Sequence, residues 1–291
     1  MKRAATLPIL ILFASLPFVT TFSQTVDFKA EDREIFERYA KYIAPYRSQP
    51  LEMILHHTAV YFLGTPYVGG TLDRNNTEKV VINLREMDCV TFVESVIALA
   101  LTAASDDLSF DQFAARIERI RYRNGIAGGY DSRLHYTSDW VYDNVRKGIL
   151  SESARQLGGI RETKPIDFMT AHRSAYRALE KDDEMLGKIR AIEESINARG
   201  GFYYLPKGEI ESKKDAIPHM AMIAFTTSVE GLDTSHTAFA YKSEGRLTFI
   251  HASSARKKVV IDETTLSDYC ERQKSCTGIM VMPVLGDHSN E

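Results

Sequence analysis

The segment DCVTFVESVIALALTAAS, residues 88–105, carries a single charged residue, Glu94, after its first aspartate. Apolar or small residues occupy nearly every side of the corresponding helix, which predicts an interior helix from residue 89 to about 104. Asp88 is suited to cap this helix, because its side-chain oxygen can accept a hydrogen bond from a first-turn N–H. Cys89 is then the first helical residue, either a small buried apolar side chain or a nucleophile presented at the helix N-terminus.

The position of Cys89 affects the ionisation of its thiol in two opposite ways. The N–H groups and the dipole at a helix N-terminus favour the thiolate over the thiol. The carboxylate of Asp88 opposes ionisation of the neighbouring thiol, so we assign Asp88 a structural role. Taken alone, a cysteine that precedes an apolar run more often belongs to a core than to an active site.

The chain has three cysteines, Cys89, Cys270 and Cys276. In an exported protein the close pair Cys270 and Cys276 could form a disulfide that closes a small loop, although other pairings remain open. Cys89 is then an unpaired thiol, which outside the cytosol is a liability unless it is buried or used.

The N-terminus, MKRAATLPILILFASLPFVTTFSQ, has the layout of a secretory signal, with two basic residues before an apolar segment too short to span a bilayer. We expect residues 1–23 to be removed. The remainder has 34 basic against 39 acidic residues, a net charge of −5. Because a mildly acidic protein has no electrostatic reason to bind nucleic acid or an anionic membrane surface, we exclude both partners. We expect an exported protein, periplasmic or secreted, with no integral membrane segment in its mature form.

The pattern of apolar and polar residues changes near residue 200. Before it, apolar spacing predicts helices at 28–43 and 49–63, further helices within 107–158, and a charged helical segment at 167–199. After it come short segments rich in β-branched and aromatic residues, which predict antiparallel strands: GFYYLP, HMAMIAFTTS, HTAFAYKS, RLTFIHAS, KVVIDE and GIMVMPVL. Helices followed by strands indicate the α+β class, and no linker is long enough to divide the chain.

Two histidines are candidates for the base that a cysteine nucleophile needs. His236 opens the strand HTAFAYKS, His251 closes the strand RLTFIHAS, and the turn SEG joins these strands. We expect a two-residue loop to place the histidines opposite each other, and a three-residue loop to pair residue 237 with His251 unless a bulge intervenes. A Cys–His–polar triad requires such a pair, in which the second histidine holds the first in the useful tautomer.

The only tryptophan, Trp140, follows a segment of polar residues. Its side chain could belong to the core, or it could be an exposed platform for a sugar ring or a peptide. The neighbouring Arg133, His135 and Asp139 favour a segment that faces a ligand. The sequence contains neither an HExxH nor a Cys–x–x–Cys motif, so a zinc mechanism is not expected.

Four stretches in fixed order, GTPYVGGTLD, MDCVTFVE, GLDTSHTAFAY and FIHASS, resemble the NlpC-type, papain-like superfamily of bacterial cell-wall hydrolases. Within it they resemble the N-acetylmuramoyl-L-alanine amidase-like branch. The resemblance implies a papain-like fold, in which the helix that begins with the nucleophile packs on an antiparallel sheet or half-barrel. It implies one catalytic domain at 24–291, with a helical region at 24–63 and a papain-like core at 64–285 that contains a helical insertion at about 107–200.

By this resemblance, Cys89 is the nucleophile, His236 the general base and then acid, and His251 the orienting third member. Tyr67 corresponds to a tyrosine that lines the site near the thiol. The implied substrate is peptidoglycan or a muropeptide, cut at the amide between N-acetylmuramic acid and L-alanine, with no metal or organic cofactor.

Two alternatives stay open from the sequence. One is an endopeptidase that cuts γ-D-glutamyl–diamino-acid bonds in the stem peptide. The other is a non-catalytic module that binds wall fragments through Trp140 and Tyr67. Much more chain separates Cys89 from His236 than in compact members of the superfamily, so we expect the helical insertion to reshape the substrate groove. The sequence leaves the oligomeric state open.

Overall fold

The computed structural model describes residues 26–286. The expected signal segment at 1–23 therefore lies outside the described residues. None of the helices within 26–286 is both long enough and apolar enough to cross a membrane.

Most of the helices in the described residues lie before residue 200. They are α1 (Ala30–Ile43), α2 (Leu51–Tyr61), α3 (Cys89–Ala104), α4 (Phe110–Arg121), α5 (Thr137–Arg146), α6 (Phe168–Ala171), α7 (Arg177–Glu180) and α8 (Asp183–Ala198), followed later by α9 (Ile210–Lys213) and α10 (Leu266–Arg272). The helices predicted at 28–43, 49–63 and 89–104 are confirmed as α1, α2 and α3.

The strands are concentrated in the last third of the chain, as predicted. They are β1 (Val26–Asp27), β2 (Val80–Val81), β3 (Ile160–Glu162), β4 (Phe202–Pro206), β5 (Met222–Thr227), β6 (Thr234–Ser243), β7 (Arg246–Ser253), β8 (Lys258–Ile261) and β9 (Cys276–Met282). Seven of them form an antiparallel sheet in the order β3-β4-β9-β5-β6-β7-β8. The α+β class is therefore confirmed.

Helix α3 begins where the sequence predicts, because its first turn is capped from both sides. The Asp88 side chain accepts a hydrogen bond from the Thr91 backbone N–H at 2.8 Å, and the Thr91 hydroxyl oxygen accepts one from the Asp88 N–H at 2.9 Å. This reciprocal arrangement satisfies two N–H groups at the start of the helix. Every residue from Thr91 to Ala103 is buried, so α3 is the interior helix that its composition predicts.

The single charge of α3 has a buried partner. Glu94 Oε2 accepts a hydrogen bond from Arg121 Nε at 2.7 Å, and the Arg121 Nη1 also donates to the Val81 carbonyl at 2.6 Å. Both charged side chains are only 2–3% exposed. The pair ties α3 to the end of α4, because an unpaired charge in this interior would be strongly destabilising.

The sheet packs a different core on each face. One face contacts α3, as the rings of Phe92 and Phe239 show with centroids 6.0 Å apart. The other face carries Ala238 and Phe249 in a second core that also contains Leu266 of α10. Successive residues of β6 therefore serve the two cores alternately.

The structure contains one of the cysteine pairings that the sequence left open. Cys270 in α10 is bonded to Cys276 in β9, with 5.5 Å between their Cα atoms. This bond holds α10 against the edge of the second core, and Cys89 is the free cysteine.

Candidate active site

Helix α3 and strand β6 meet at Cys89. The Thr237 hydroxyl of β6 donates a hydrogen bond of 2.8 Å to the carbonyl oxygen of Cys89. Thr237 follows His236 directly in the strand, so this bond fixes the start of the helix beside the candidate base. Cys89 keeps partial exposure to solvent.

The two histidines lie on neighbouring strands, but in a register that differs from both of those expected from the sequence. The loop is two residues long, Glu244 and Gly245, both with positive φ of 52° and 73°, and Ser243 pairs with Arg246. Such φ values belong to the type I′ turn that suits short hairpins.

Because Ser243 belongs to the strand rather than to the loop, the two-residue loop does not place the two histidines opposite each other. Phe239 pairs with Ile250, and continuing this register places His251 level with Ala238, two residues from His236. An offset of two residues keeps both side chains on the same face of the sheet.

The histidines are hydrogen-bonded to each other, and a carboxylate faces the second of them. His236 Nε2 lies 2.6 Å from His251 Nδ1, and His251 Nε2 lies 3.3 Å from Asp262 Oδ2. Asp262 directly follows β8, the partner strand of β7. Asp262 is absent from the site residues predicted from the sequence, although its position at the end of KVVIDE, one strand beyond His251, is the signal that could have identified it.

Burial keeps both imidazoles neutral near neutral pH. It lowers the pKa of His236 to about 3, an effect strengthened by the neighbouring His251 and opposed by Asp262. Burial also lowers the pKa of His251, against the raising effect of the Asp262 carboxylate. Each ring therefore carries one N–H, and the hydrogen bond between them depends on which nitrogen holds it.

The thiol of Cys89 is protonated at rest. Burial, and secondarily the Asp88 carboxylate, raises the pKa of Cys89 to about 11, although hydrogen bonds with Thr237 act to lower it. The expectation that the helix N-terminus favours the thiolate is therefore outweighed. A nucleophilic Cys89 would need a base to accept its proton as it attacks.

Two tyrosines lie near the thiol. Burial raises the pKa of Tyr67, with additional contributions from Cys89 and Asp88, and the Val68 N–H beside it donates to the Met87 carbonyl at 3.0 Å. Tyr67 thus lies beside the segment that leads into Cys89.

Tyr269 of α10 is the second tyrosine, and sequence reasoning missed it. Its ring centroid lies 6.4 Å from that of His236 and 6.1 Å from that of His251. Burial raises its pKa, with further contributions from Asp262 and Cys89. Tyr269 is therefore near both the thiol and the histidine pair.

The thiol and the candidate base are not yet hydrogen-bonded to each other: the hydrogen bonds of the described residues include none between Cys89 Sγ and the His236 ring. Catalytic hydrogen bonds are often long before substrate binds.

A cavity of about 330 Å³ opens beside the histidine pair. It is lined by Phe225, Ser235, His236, His251, Ser253, Ser254, Ala255, Arg256, Asp262, Tyr269, Gln273, Ser275 and Cys276. Asp262 is the single carboxylate of this lining. Within residues 26–286, no group of three or more His, Cys, Asp or Glu side chains is arranged to hold a metal ion.

Trp140 and its neighbour Asp139 are both buried. Trp140 is 3% exposed and packs in the core, as the first of its two interpretations expects. Asp139 is 1% exposed and accepts hydrogen bonds from Arg123 at 2.7 Å and Arg199 at 2.6 Å.

The two remaining residues of this segment are also bonded within the protein. His135 Nε2 lies 2.7 Å from the Tyr130 carbonyl oxygen. Arg133 donates to Asp73 at 2.6 Å and lines a separate cavity of about 430 Å³. The bonds of Arg133, His135 and Asp139 thus run to other parts of the chain than the Cys89 site.

Comparison with known proteins decides the family. A family model described as N-acetylmuramoyl-L-alanine amidase-like matches residues 57–279, a range that includes Cys89, His236, His251 and Asp262. The chain belongs to this family. No curated protein matches the chain.

Several solved structures are similar to this chain. An N-acetylmuramoyl-L-alanine amidase from Bacteroides uniformis is 35% identical, with a TM-score of 0.75 over 79% of this chain and 98% of the other. A Bacteroides fragilis protein provisionally named a xylanase is 37% identical, with a TM-score of 0.74 over 77% of this chain and 98% of the other. A Legionella pneumophila protein, 23% identical with a TM-score of 0.64 over 87% of this chain and 96% of the other, shares the fold.

Proposed function

We propose that this member of the amidase-like family is an exported, papain-like cysteine amidase that acts on peptidoglycan or muropeptide fragments. The bond cut is the amide between N-acetylmuramic acid and L-alanine. The observation that carries the proposal is the hydrogen bond between His236 and His251, because His236 lies on β6, the strand that also binds the first residue of α3, the free Cys89. A thiol, a base and a group that orients the base are the parts that cysteine acyl transfer needs.

In the first half of the proposed reaction, Cys89 Sγ attacks the carbonyl carbon of the muramoyl group. The thiol proton passes to His236 Nδ1, because Nε2 of the same ring is bonded to His251. The backbone N–H of Cys89 is placed to stabilise the oxyanion. The C–N bond then breaks, His236 returns its proton to the alanine nitrogen, and a muramoyl thioester remains on Cys89.

In the second half, water attacks the thioester carbonyl and gives its proton to His236. The C–S bond breaks, the proton returns to Cys89, and the sugar leaves as a free carboxylic acid. No metal or organic cofactor enters either half.

Tyr67, beside the chain that leads into Cys89, is proposed to contact the substrate. Trp140, Asp139, His135 and Arg133 would support the groove from within rather than touch the reacting bond.

The name of the Bacteroides fragilis neighbour raises glycoside hydrolysis as another reaction. Most glycosidases use two carboxyl groups that flank the scissile bond. The cavity beside His236 offers one carboxylate, Asp262, which already faces His251. The residues of this site therefore favour acyl transfer over glycoside hydrolysis.

Product analysis separates the proposed amidase from the endopeptidase alternative. The protein is incubated with a defined disaccharide–tetrapeptide, and the products are identified by mass spectrometry. An amidase releases the intact tetrapeptide and a peptide-free disaccharide. Cleavage within the stem peptide would replace this proposal with the endopeptidase, and binding without any cleavage would support the non-catalytic module.

The pH profile is expected to extend far to the acid side. His236 must be unprotonated to accept the thiol proton, and its pKa is lowered from 6.5 to about 3. Protonation therefore inactivates the base only well below pH 6.5, so kcat/KM should change less than about threefold between pH 7.5 and 5.5. Circular dichroism over the same range controls for acid unfolding. An acid limb with its midpoint at or above pH 6.5 in the folded protein would contradict a buried neutral base.

A further inference from the structure

The hydrogen bond between the two histidines allows two opposite proton arrangements. In the first, His251 Nδ1–H donates to His236 Nε2, and the single proton of the neutral His236 ring sits on Nδ1. In the second, His236 Nε2–H donates to His251 Nδ1, and His236 Nδ1 keeps a free lone pair. Only the second arrangement leaves a nitrogen of His236 that can accept the thiol proton.

Asp262 distinguishes these arrangements. A carboxylate only accepts hydrogen bonds, and Asp262 Oδ2 lies 3.3 Å from His251 Nε2. It therefore favours a proton on Nε2 of His251. A neutral His251 that is protonated on Nε2 has an acceptor at Nδ1, which requires His236 to be the donor in the 2.6 Å bond between the rings.

The Asp262 carboxylate is held in place by bonds that leave Oδ2 to His251. Oδ1 accepts hydrogen bonds from the Thr264 hydroxyl at 2.6 Å and from the Thr264 N–H at 2.9 Å. The backbone N–H of Asp262 donates to the Phe249 carbonyl at 2.9 Å, and the Thr248 hydroxyl donates to the Asp262 carbonyl at 2.6 Å. The backbone of Asp262 is thus fixed to β7, the strand that carries His251, and its side chain is fixed to Thr264.

We propose that Asp262 is a positioning residue that sets the tautomers of both histidines, so that His236 Nδ1 is free to take the proton of Cys89. The assignment rests on the proposed function and adds a fourth member to its Cys–His–His set. Asp262 acts through His251 and touches neither the thiol nor the scissile bond.

The surroundings of Asp262 make the Asp262→Asn variant more informative than a simple truncation. Thr264 presents two donors to Oδ1, so the new amide would turn its oxygen towards Thr264 and its NH₂ group towards His251. An NH₂ group donates to Nε2 and forces the proton of His251 onto Nδ1. The closest isostere would therefore impose the unproductive arrangement, in which His236 carries its proton on Nδ1.

The test compares three variants of the full chain on a muropeptide substrate. Asp262→Asn should lower kcat by about 10²-fold or more with KM changed less than about threefold, since a wrong tautomer removes the base but not the binding surface. Asp262→Ala, which imposes neither arrangement, should lose less activity than Asp262→Asn. Glu263→Gln removes the adjacent carboxylate, 85% exposed, and should retain wild-type kcat.

A spectroscopic readout tests the tautomers without turnover. In protein labelled with ¹⁵N-histidine, the ring nitrogen shifts should show His236 protonated on Nε2 and His251 on Nε2, and Asp262→Asn should move both protons to Nδ1. Asp262→Asn with wild-type kcat, or tautomers that Asp262→Asn leaves unchanged, would overturn the proposal. Because the tautomers are read in the absence of substrate, a protein that cuts no muropeptide would disprove the amidase function while leaving this readout decisive for Asp262.

Discussion

Replacing Cys89 with alanine is expected to lower the rate of muropeptide cleavage by about 10³-fold or more. The physical reason is that the thioester cannot form without the sulfur, and what remains is stabilisation of the oxyanion and binding of the substrate. Liquid chromatography of the released peptide measures the rate. Thermal unfolding should be close to wild type, because Cys89 is partly exposed and the cap of α3 depends on Asp88 and Thr91.

The other two cysteines supply the matched control. Replacing both Cys270 and Cys276 with alanine removes the disulfide and leaves the free thiol in place. This double variant should unfold at a lower temperature but, when folded, should keep activity within about an order of magnitude of wild type. Full turnover in Cys89→Ala would end the cysteine mechanism.

Breaking the buried ion pair of α3 is expected to have the largest effect on stability. Glu94→Leu leaves the Arg121 guanidinium, 3% exposed, without its carboxylate partner. Because an uncompensated buried charge is costly, we expect the free energy of unfolding to fall by about 3–5 kcal/mol. Urea denaturation followed by circular dichroism measures the change.

A second substitution tests this cause. In the double variant Glu94→Leu with Arg121→Met, no charge is left unpaired, and much of the lost stability should return. Glu34→Gln, in an exposed pair with Arg38 at 3.9 Å, should change the free energy of unfolding by less than about 1 kcal/mol. A Glu94→Leu cost no larger than that of Glu34→Gln would contradict the importance of the buried pair.

Local patterns in the sequence predict much of this fold. The reciprocal cap of Asp88 and Thr91 and the apolar run behind it set the start and the burial of α3. Alternating β-branched and aromatic residues predict β4 to β9, because each strand serves a core on one or both faces of the sheet. The short elements β3 and α10 were missed, since three and seven residues carry little periodic signal.

The details of the site depend on contacts between distant residues. The register of β6 on β7 follows from the pairing of Ser243 with Arg246, which leaves a two-residue loop. The sequence alone does not distinguish this loop from a three-residue loop that includes Ser243. Asp262 acquires its place only once β8 pairs with β7. The raised pKa of Cys89 reflects burial, which local sequence does not report. Trp140 illustrates the same point, because polar neighbours favour an exposed segment while tertiary packing buries the ring.

The mass of the covalent intermediate tests the central claim most directly. Wild-type protein is mixed with a disaccharide–tetrapeptide, quenched in acid within one turnover and digested, and the peptide that contains Cys89 is weighed. The amidase mechanism predicts a thioester on Cys89 whose added mass is that of the sugar acyl group, with no amino acid attached. An adduct composed of stem-peptide amino acids, or an adduct on any residue other than Cys89, would contradict it.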